Sequence, residues 1–309
     1  MTGPMTGPMG GTTVRGPRDI IRIEDADDPR IADFHAIRER DLTGRHGRFI
    51  AEGTVVLRML AAAHRRSAAG KGDGEVMAMD ASRRGSTGFT AEKILLLENR
   101  ASGVSDILDD FPEDVPVYLA SGPVLDRIAG FHLHRGVLAL GRRSEEIEAA
   151  QLIARSPEKG LIVAAFGISN HDNIGSIFRN AAAFGADAVL LDSQCCDPLY
   201  RKALRVSVGS VLSVPYARGG TAGYLLSALS GHGFAIWGLS PAGETEIRHV
   251  PADDRMALIT GTEGEGLSTD VLSSVKTARI AQAPGLDSLN AGTATGIALY
   301  EIAMAQGRL

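Results

Sequence analysis

Three short segments concentrate the polar residues that could bind and orient a small ligand. The first is Asn170-His171-Asp172-Asn173-Ile174-Gly175, followed by Arg179 six residues past Asn173. It follows a strand-like run and opens a helix-like one, so Asn173 or Asp172 can cap that helix. Arg179 then stands less than two helical turns from Asn173. A cap beside a solvated arginine is the simpler account of this segment taken alone. The second segment, Thr260-Gly261-Thr262-Glu263-Gly264-Glu265-Gly266, holds glycines at 261, 264 and 266. Glycine lets a backbone approach a ligand closely. The loop lacks the lysine of a phosphate-gripping P-loop and does not match G-x-G-x-x-G. Its two carboxylates would repel phosphates but tolerate a cationic ligand. The third runs from Ile280 through a Pro/Gly turn to Ser288-Leu289-Asn290, then into a helix-like run of small residues. Between the first two lies Arg205-Val206-Ser207-Val208-Gly209-Ser210, which supplies a cation, two hydroxyls and a glycine.

Such loops need strands to hold them. Apolar runs at 161–166, 188–192, 213–216, 234–238, 256–260 and 277–282 read as strands covered on both faces. Helices are expected to begin near Ile174, Thr221, Gly266 and Leu289. Upstream, 48–52, 93–97, 116–119 and 136–141 read as strands, with a helix from Gly53 and helical spacing over 31–42 through Ile31, Phe34, Ile37 and Leu42. Residues 67–90, rich in Gly, Ser and Ala, read as a loop. Strands alternating with helices imply α/β architecture. The expected division is a tail over 1–18, a small α/β domain over 19–143, a connecting helix within 144–158 and a parallel-sheet α/β domain over 159–309.

The chain of 309 residues, 44% hydrophobic, is long enough to bury two cores. No apolar run reaches the roughly 18 residues that span a bilayer. The duplicated M-T-G-P start lacks the basic end and apolar stretch of a secretion signal. Adjacent Cys195 and Cys196 are poorly placed to bond each other and are expected to be small, half-buried fillers in a reducing cytoplasm. No His/Cys/carboxylate cluster has metal-ligand spacing, so no metal is expected. The net charge of −5 argues against a general polyanion binder. Local basic clusters nevertheless recur, mostly before residue 150: Arg38, Arg40, Arg45 and Arg48; His64, Arg65 and Arg66; Arg83 and Arg84; His132, His134 and Arg135. Together they make the first half a candidate RNA platform.

The order N-x-G-x-x-x-R (173–179), R-x-S-x-G (205–209), G-x-E-G-x-G (261–266) and D-S-L-N (287–290) before a small-residue helix resembles the SpoU/TrmH family of RNA 2′-O-ribose methyltransferases, of the SPOUT class. The match covers about 160–307. Less specifically, F-I-A-E-G (49–53) before a helix resembles the L30e-like substrate-binding domain that many members carry. The resemblance implies a trefoil knot, a homodimer through the C-terminal domain, and S-adenosylmethionine held by the backbone around Thr260, Gly261, Gly266, Ile280 and Leu289. Arg179, Asn173, Glu263, Ser288 and Asn290 would form the methyl-transfer site. Arg205, Ser207, Arg45, Arg48 and Arg135 are the expected contacts to RNA, rRNA first and tRNA next.

Three departures stand out: Ile280-Ala281-Gln282 replaces I-P-M, Asn170 replaces an aspartate, and Ala291-Gly292 replaces a valine–serine pair. A guanidinium is a poor base, so Arg179 is expected to bind phosphate or stabilise a developing alkoxide. The sulfonium loses its charge during transfer, so Glu263 is expected to orient neighbours rather than touch sulfur. A catalytically silent RNA-binding protein with the same fold is the alternative. A nucleotide-binding enzyme using 261–266 as a phosphate loop is a more distant one.

Overall fold

The structure is a computed structural model, and it describes residues 18–35, 47–69, 88–129, 136–144, 146–262, 264–285 and 288–309. Two sheets organise these residues. The first contains β1 (Ile20–Ile23), β2 (Arg48–Glu52), β3 (Phe89–Leu97), β4 (Val117–Ala120) and β5 (Val137–Arg143) in the order β1-β4-β3-β5-β2. β1, β4 and β3 run parallel, while β5 is antiparallel to both β3 and β2. Helix α1 (Thr54–Ala69) packs on one face of this sheet through Val56, Leu57, Leu60 and Ala61, all buried. Two short helices, α2 (Ser105–Leu108) and α3 (Gly122–Ala129), fill the crossovers.

The second sheet is parallel throughout. Its strands are β6 (Gly160–Ala165), β7 (Ala188–Leu191), β8 (Tyr216–Arg218), β9 (Ala235–Leu239), β10 (Thr245–Glu246), β11 (Arg255–Thr260) and β12 (Lys276–Arg279). Their order is β10-β12-β9-β11-β6-β7-β8. The continuous apolar run of β6 has a simple cause: Leu161, Val163 and Ala165 enter one core while Ile162 and Ala164 enter the other. Side chains alternate along a strand, so a strand covered on both sides has no polar face to show. One face is covered by α5 (His171–Ala183), α6 (Arg201–Val206) and α9 (Ala291–Ala305). The other is covered by α4 (Ala149–Ala154), α7 (Ala222–Gly231) and α8 (Thr269–Ser274). The first of these cores continues into the α1 side of the first sheet, so the two halves share one apolar cluster.

Several expectations change. Residues 31–42 do not begin as a regular α-helix: a 3₁₀ helix spans Pro29–Phe34, burying Ile31 and Phe34, and His35 turns to extended backbone. Ile37 and Leu42 lie outside the described residues. The expected connecting helix within 144–158 is present as α4, and its Ala149, Leu152 and Ile153 are core residues of the second half. No strand starts at 213, because Ser210–Leu212 forms a 3₁₀ turn and Val214 N–H bonds back to the Ser210 carbonyl. β12 ends at Arg279, which leaves Ile280 to Gln282 in the loop. Most of 67–90, including Arg83 and Arg84, lies outside the described residues, as do His132, His134 and the tail over 1–17. Among the described residues no helix is long and apolar enough to cross a membrane.

Candidate active site

In an open parallel sheet, loops at the carboxyl ends of two neighbouring strands diverge where the connections change face, leaving a crevice. Here that point lies between β6 and β11. β6 leads to α5 on one face, and β11 leads to α8 on the other. The strands are in register, with Phe166 N–H donating to the Thr260 carbonyl at 3.0 Å. The first and second segments of the sequence therefore start side by side.

Asn170 caps α5, its Oδ1 accepting from Asp172 N–H at 2.8 Å. This corrects the assignment of the cap to Asn173 or Asp172, and it releases Asn173 for another contact. Asn173 is buried, and its Oδ1 accepts from Asn290 Nδ2 at 2.8 Å. Asn290 in turn caps α9, its Oδ1 accepting from Thr293 N–H at 3.1 Å. One side chain thus starts a helix and ties it to another.

Below this pair the two helices nearly touch. A Cβ added at Gly292 would fall 2.5 Å from Ser176 Cβ, and one at Gly296 would fall 2.8 Å from Asn180 Nδ2. Asn180 Nδ2 donates to the Gly292 carbonyl at 2.8 Å. Ser176 and Asn180, one helical turn apart, face Gly292 and Gly296 at the same spacing. The small residues of α9 therefore serve a contact within the chain, and Gly292, where the family pattern has serine, is required by that contact. Ala291, Ala298 and Ala303 enter the core, while Ile297, Tyr300 and Met304 stay exposed along the outer face.

Beside this seam lies an open groove of about 520 Å³, lined among others by Ser176, Arg179, Asn180, Val206, Thr293 and Tyr300. Arg179 is exposed and, among the described residues, has no carboxylate partner. The groove thus offers one uncommitted cation, several amide and hydroxyl groups and an aromatic wall, where Tyr300 meets Phe184 edge to face at 5.9 Å.

The glycine loop after β11 folds back on itself. Gly266 N–H donates to the Thr262 carbonyl at 3.1 Å, and a Cβ at Gly261 would sit 2.4 Å from the Gly266 carbonyl carbon. Thr260 is buried at the strand end. In the loop after β12, Ile280 packs partly buried on the core and Ser288 is exposed. Gln282 Oε1 is buried and, among the described residues, receives no donor. A buried acceptor left unmade costs on the order of 1–3 kcal/mol, so this loop suits a ligand bearing an amino group.

The remaining expected residues scatter. Arg205 reaches Glu52 of β2 at 3.4 Å, and Ser207 is fully buried with its hydroxyl donating to the Leu204 carbonyl. Arg48 is committed to Asp33 at 3.3 Å and Glu92 at 2.8 Å. Glu263, Arg45 and Arg135 lie outside the described residues. Sequence reasoning missed Ser176, Asn180 and Tyr300. The matching four-residue spacings of Ser176/Asn180 and Gly292/Gly296 were the available signal. It also missed His171 and Tyr200, whose rings lie 4.5 Å apart at the head of α5. Cys195 and Cys196 are free; burial pushes both thiols up, that of Cys196 to about 11, so neither is a ready nucleophile.

Comparison with known proteins agrees with this architecture. Residues 160–300 match the SpoU rRNA Methylase family. Uncharacterized tRNA/rRNA methyltransferases of Mycobacterium bovis and Mycobacterium tuberculosis are 36% identical over 293 residues, covering 92% of this chain and 91% of theirs. Among solved structures, the AdoMet-bound rRNA methyltransferase of Sinorhizobium meliloti superposes with a TM-score of 0.72 at 21% identity, covering 92% of this chain and 97% of its own. The SpoU methyltransferase AviRb of Streptomyces viridochromogenes, in complex with AdoMet, gives 0.71 at 21% identity over 91% of this chain and 100% of its own. With the motif order, the parallel sheet and full-length relatives in agreement, the chain belongs to the SpoU methylase family.

Proposed function

We propose that this chain transfers a methyl group from S-adenosylmethionine to a ribose 2′-hydroxyl of structured RNA, with rRNA the first candidate and tRNA the second. The observation that carries this reading is Arg179, exposed in an open groove beside the Asn173–Asn290 bond and without a carboxylate partner among the described residues. The names of the relatives, RNA methyltransferases throughout, support the substrate class. The loops after β11 and β12 would hold the methyl donor through the backbone of Thr260, Gly261, Gly266, Ile280 and Leu289, with Gln282 Oε1 accepting from a donor amine. When bound, S-adenosylmethionine supplies an electrophilic methyl on a positive sulfonium. The return of α9 from the outlying β12 to pack on α5 and β11 supports the trefoil knot as part of this reading.

The chain's own residues have two tasks. One is alignment, because in-line displacement requires the hydroxyl oxygen, methyl carbon and sulfur to be collinear, and orientation of this kind is a large share of catalysis. The Asn173–Asn290 bond and the Gly292 contact fix the groove wall against which a ribose would lie. The other is charge. The hydroxyl gains negative charge as its proton leaves, and Arg179, which has no carboxylate partner among the described residues, would stabilise that charge or the adjoining phosphate. Ser288, exposed in the loop before α9, would add a hydrogen-bonding group. The apolar outer face of α9 would pair with a second copy of the chain, making a homodimer.

Calorimetry with S-adenosylmethionine, followed by incubation of the protein and labelled donor with total RNA lacking its own modification, tests this reading. Donor binding and label in RNA are expected. Folded protein that shows neither would refute it.

A further inference from the structure

The segment from Arg205 to Tyr216 belongs to the parallel-sheet half, yet residues of the first half hold it along its length. Arg205 Nη1 lies 3.4 Å from Glu52 Oε2, and the Glu52 side chain is only 8% exposed. Gly209 takes φ +80°, and a Cβ there would fall 2.8 Å from Met59 of α1, so this close approach admits no larger residue. Arg66 Nη2 donates to the Leu212 carbonyl at 3.3 Å. Arg143 Nη2 donates to the Tyr216 carbonyl at 3.2 Å and lies 4.2 Å over the Tyr216 ring.

Near its start the segment also meets the groove. Val206 lines it next to Arg205. Helix α6 is pressed against α5 where a Cβ on Gly175 would fall 2.7 Å from Val206 Cβ and 2.8 Å from the Ala203 carbonyl. Gly175 stands between Asn173 and Arg179 on the same helix. Packed contacts of this closeness pass a displacement on rather than absorb it. A path of touching groups thus runs from Glu52 through Arg205 and α6 to the helix that carries Arg179.

We propose that Glu52 is a positioning residue for methyl transfer, holding Arg205 and with it α6, so that docking of the first domain sets the groove wall. This rests on the function proposed above. Glu52 is buried, which leaves its carboxylate little surface to offer a ligand. Arg205, 43% exposed, is the half of the pair that could be mistaken for a phosphate contact.

The full chain tests this through a double-mutant cycle on the single-turnover rate, at saturating donor and saturating RNA. Glu52→Ala and Arg205→Ala are each expected to slow transfer about tenfold, a coupling of ordinary size for residues in contact, and the double variant should be no slower than the worse single one. Glu52→Gln, which keeps a hydrogen-bond acceptor, should recover part of the rate and carries the test if the alanine variant does not fold. Donor affinity by calorimetry should be unchanged in all of them, which a merely unfolding effect would not give. Rate losses that multiply in the double variant would overturn the proposal. So would a wild-type rate in Glu52→Ala beside a salt-dependent loss of RNA affinity in Arg205→Ala, which would make Arg205 a plain phosphate contact. A wild-type chain that transfers no methyl group would take down the functional reading and this one together, whereas an active wild type with an unaffected Glu52→Ala would take down this one alone.

Discussion

The arginines of the first sheet and the arginine of the groove illustrate how differently one residue type can be used. In the first half, Arg48 is held by Asp33 and Glu92, Arg58 by Asp106, Arg65 by Asp110 and Arg127 by Asp27. Lys93 shares Asp33 with Arg48. Each of these cations meets a carboxylate, Arg48 and Lys93 sharing one, so among the described residues these positions are ion pairs rather than an open positive field. Arg179 has no such partner there and faces an open groove. A count of basic residues along a sequence cannot separate these cases, because a cation attracts phosphate only to the extent that nothing nearer has claimed it.

The contrast predicts a graded series. Arg179→Ala should have the largest effect, a fall of about 100-fold or more in single-turnover rate at saturating RNA, the usual scale for losing one group that stabilises transition-state charge. Donor affinity should be unchanged; a loss of RNA affinity alone, with the rate intact, would leave Arg179 a docking residue. Gly292→Ala comes next. It forces a methyl group against Ser176, and overpacking of this kind typically costs about 1–3 kcal/mol, readable as a lower urea midpoint. An unchanged midpoint would mean that α5 and α9 part easily. Arg48→Ala should be milder still, within about 1 kcal/mol in stability for a partly exposed pair and without measurable loss of RNA affinity. A clear loss of RNA binding would erase the distinction between the two regions.

The smallest effect is one of pH. The hydrogen bond from Lys93 holds the Asp33 carboxyl below the usual carboxylate range. A depressed folded value adds stability above the unfolded value, near 3.9, and that stability fades as pH falls through the lower folded value. Asp33→Asn should therefore flatten the acid limb of the stability curve slightly; an unchanged limb would mean that the pair contributes nothing.

How much of this was legible in the sequence follows from distance along the chain. β6, β7 and β11 were readable because burial on both faces leaves an uninterrupted apolar run. The helices carrying Asn173 and Asn290 were readable from their polar starts. The partners were not. Nothing local ties Arg48 to Asp33 and Glu92, or Arg205 to Glu52, and a guanidinium next to a motif looks alike whether it meets RNA or a carboxylate. Ser207 stands in a motif of polar residues, yet the turn ending α6 points it inward, a matter of backbone geometry that residue type does not record. Asn170, Asp172 and Asn173 are all good caps by type, and only the path of the chain into α5 selects the first.

The most direct measurement is the position of the transferred methyl group. RNA labelled by this protein and then digested in alkali, which cleaves only beside a free 2′-hydroxyl, should yield the label in uncut dinucleotides. Label recovered in single nucleotides, on the base, would contradict the claim that this groove brings a ribose to the donor.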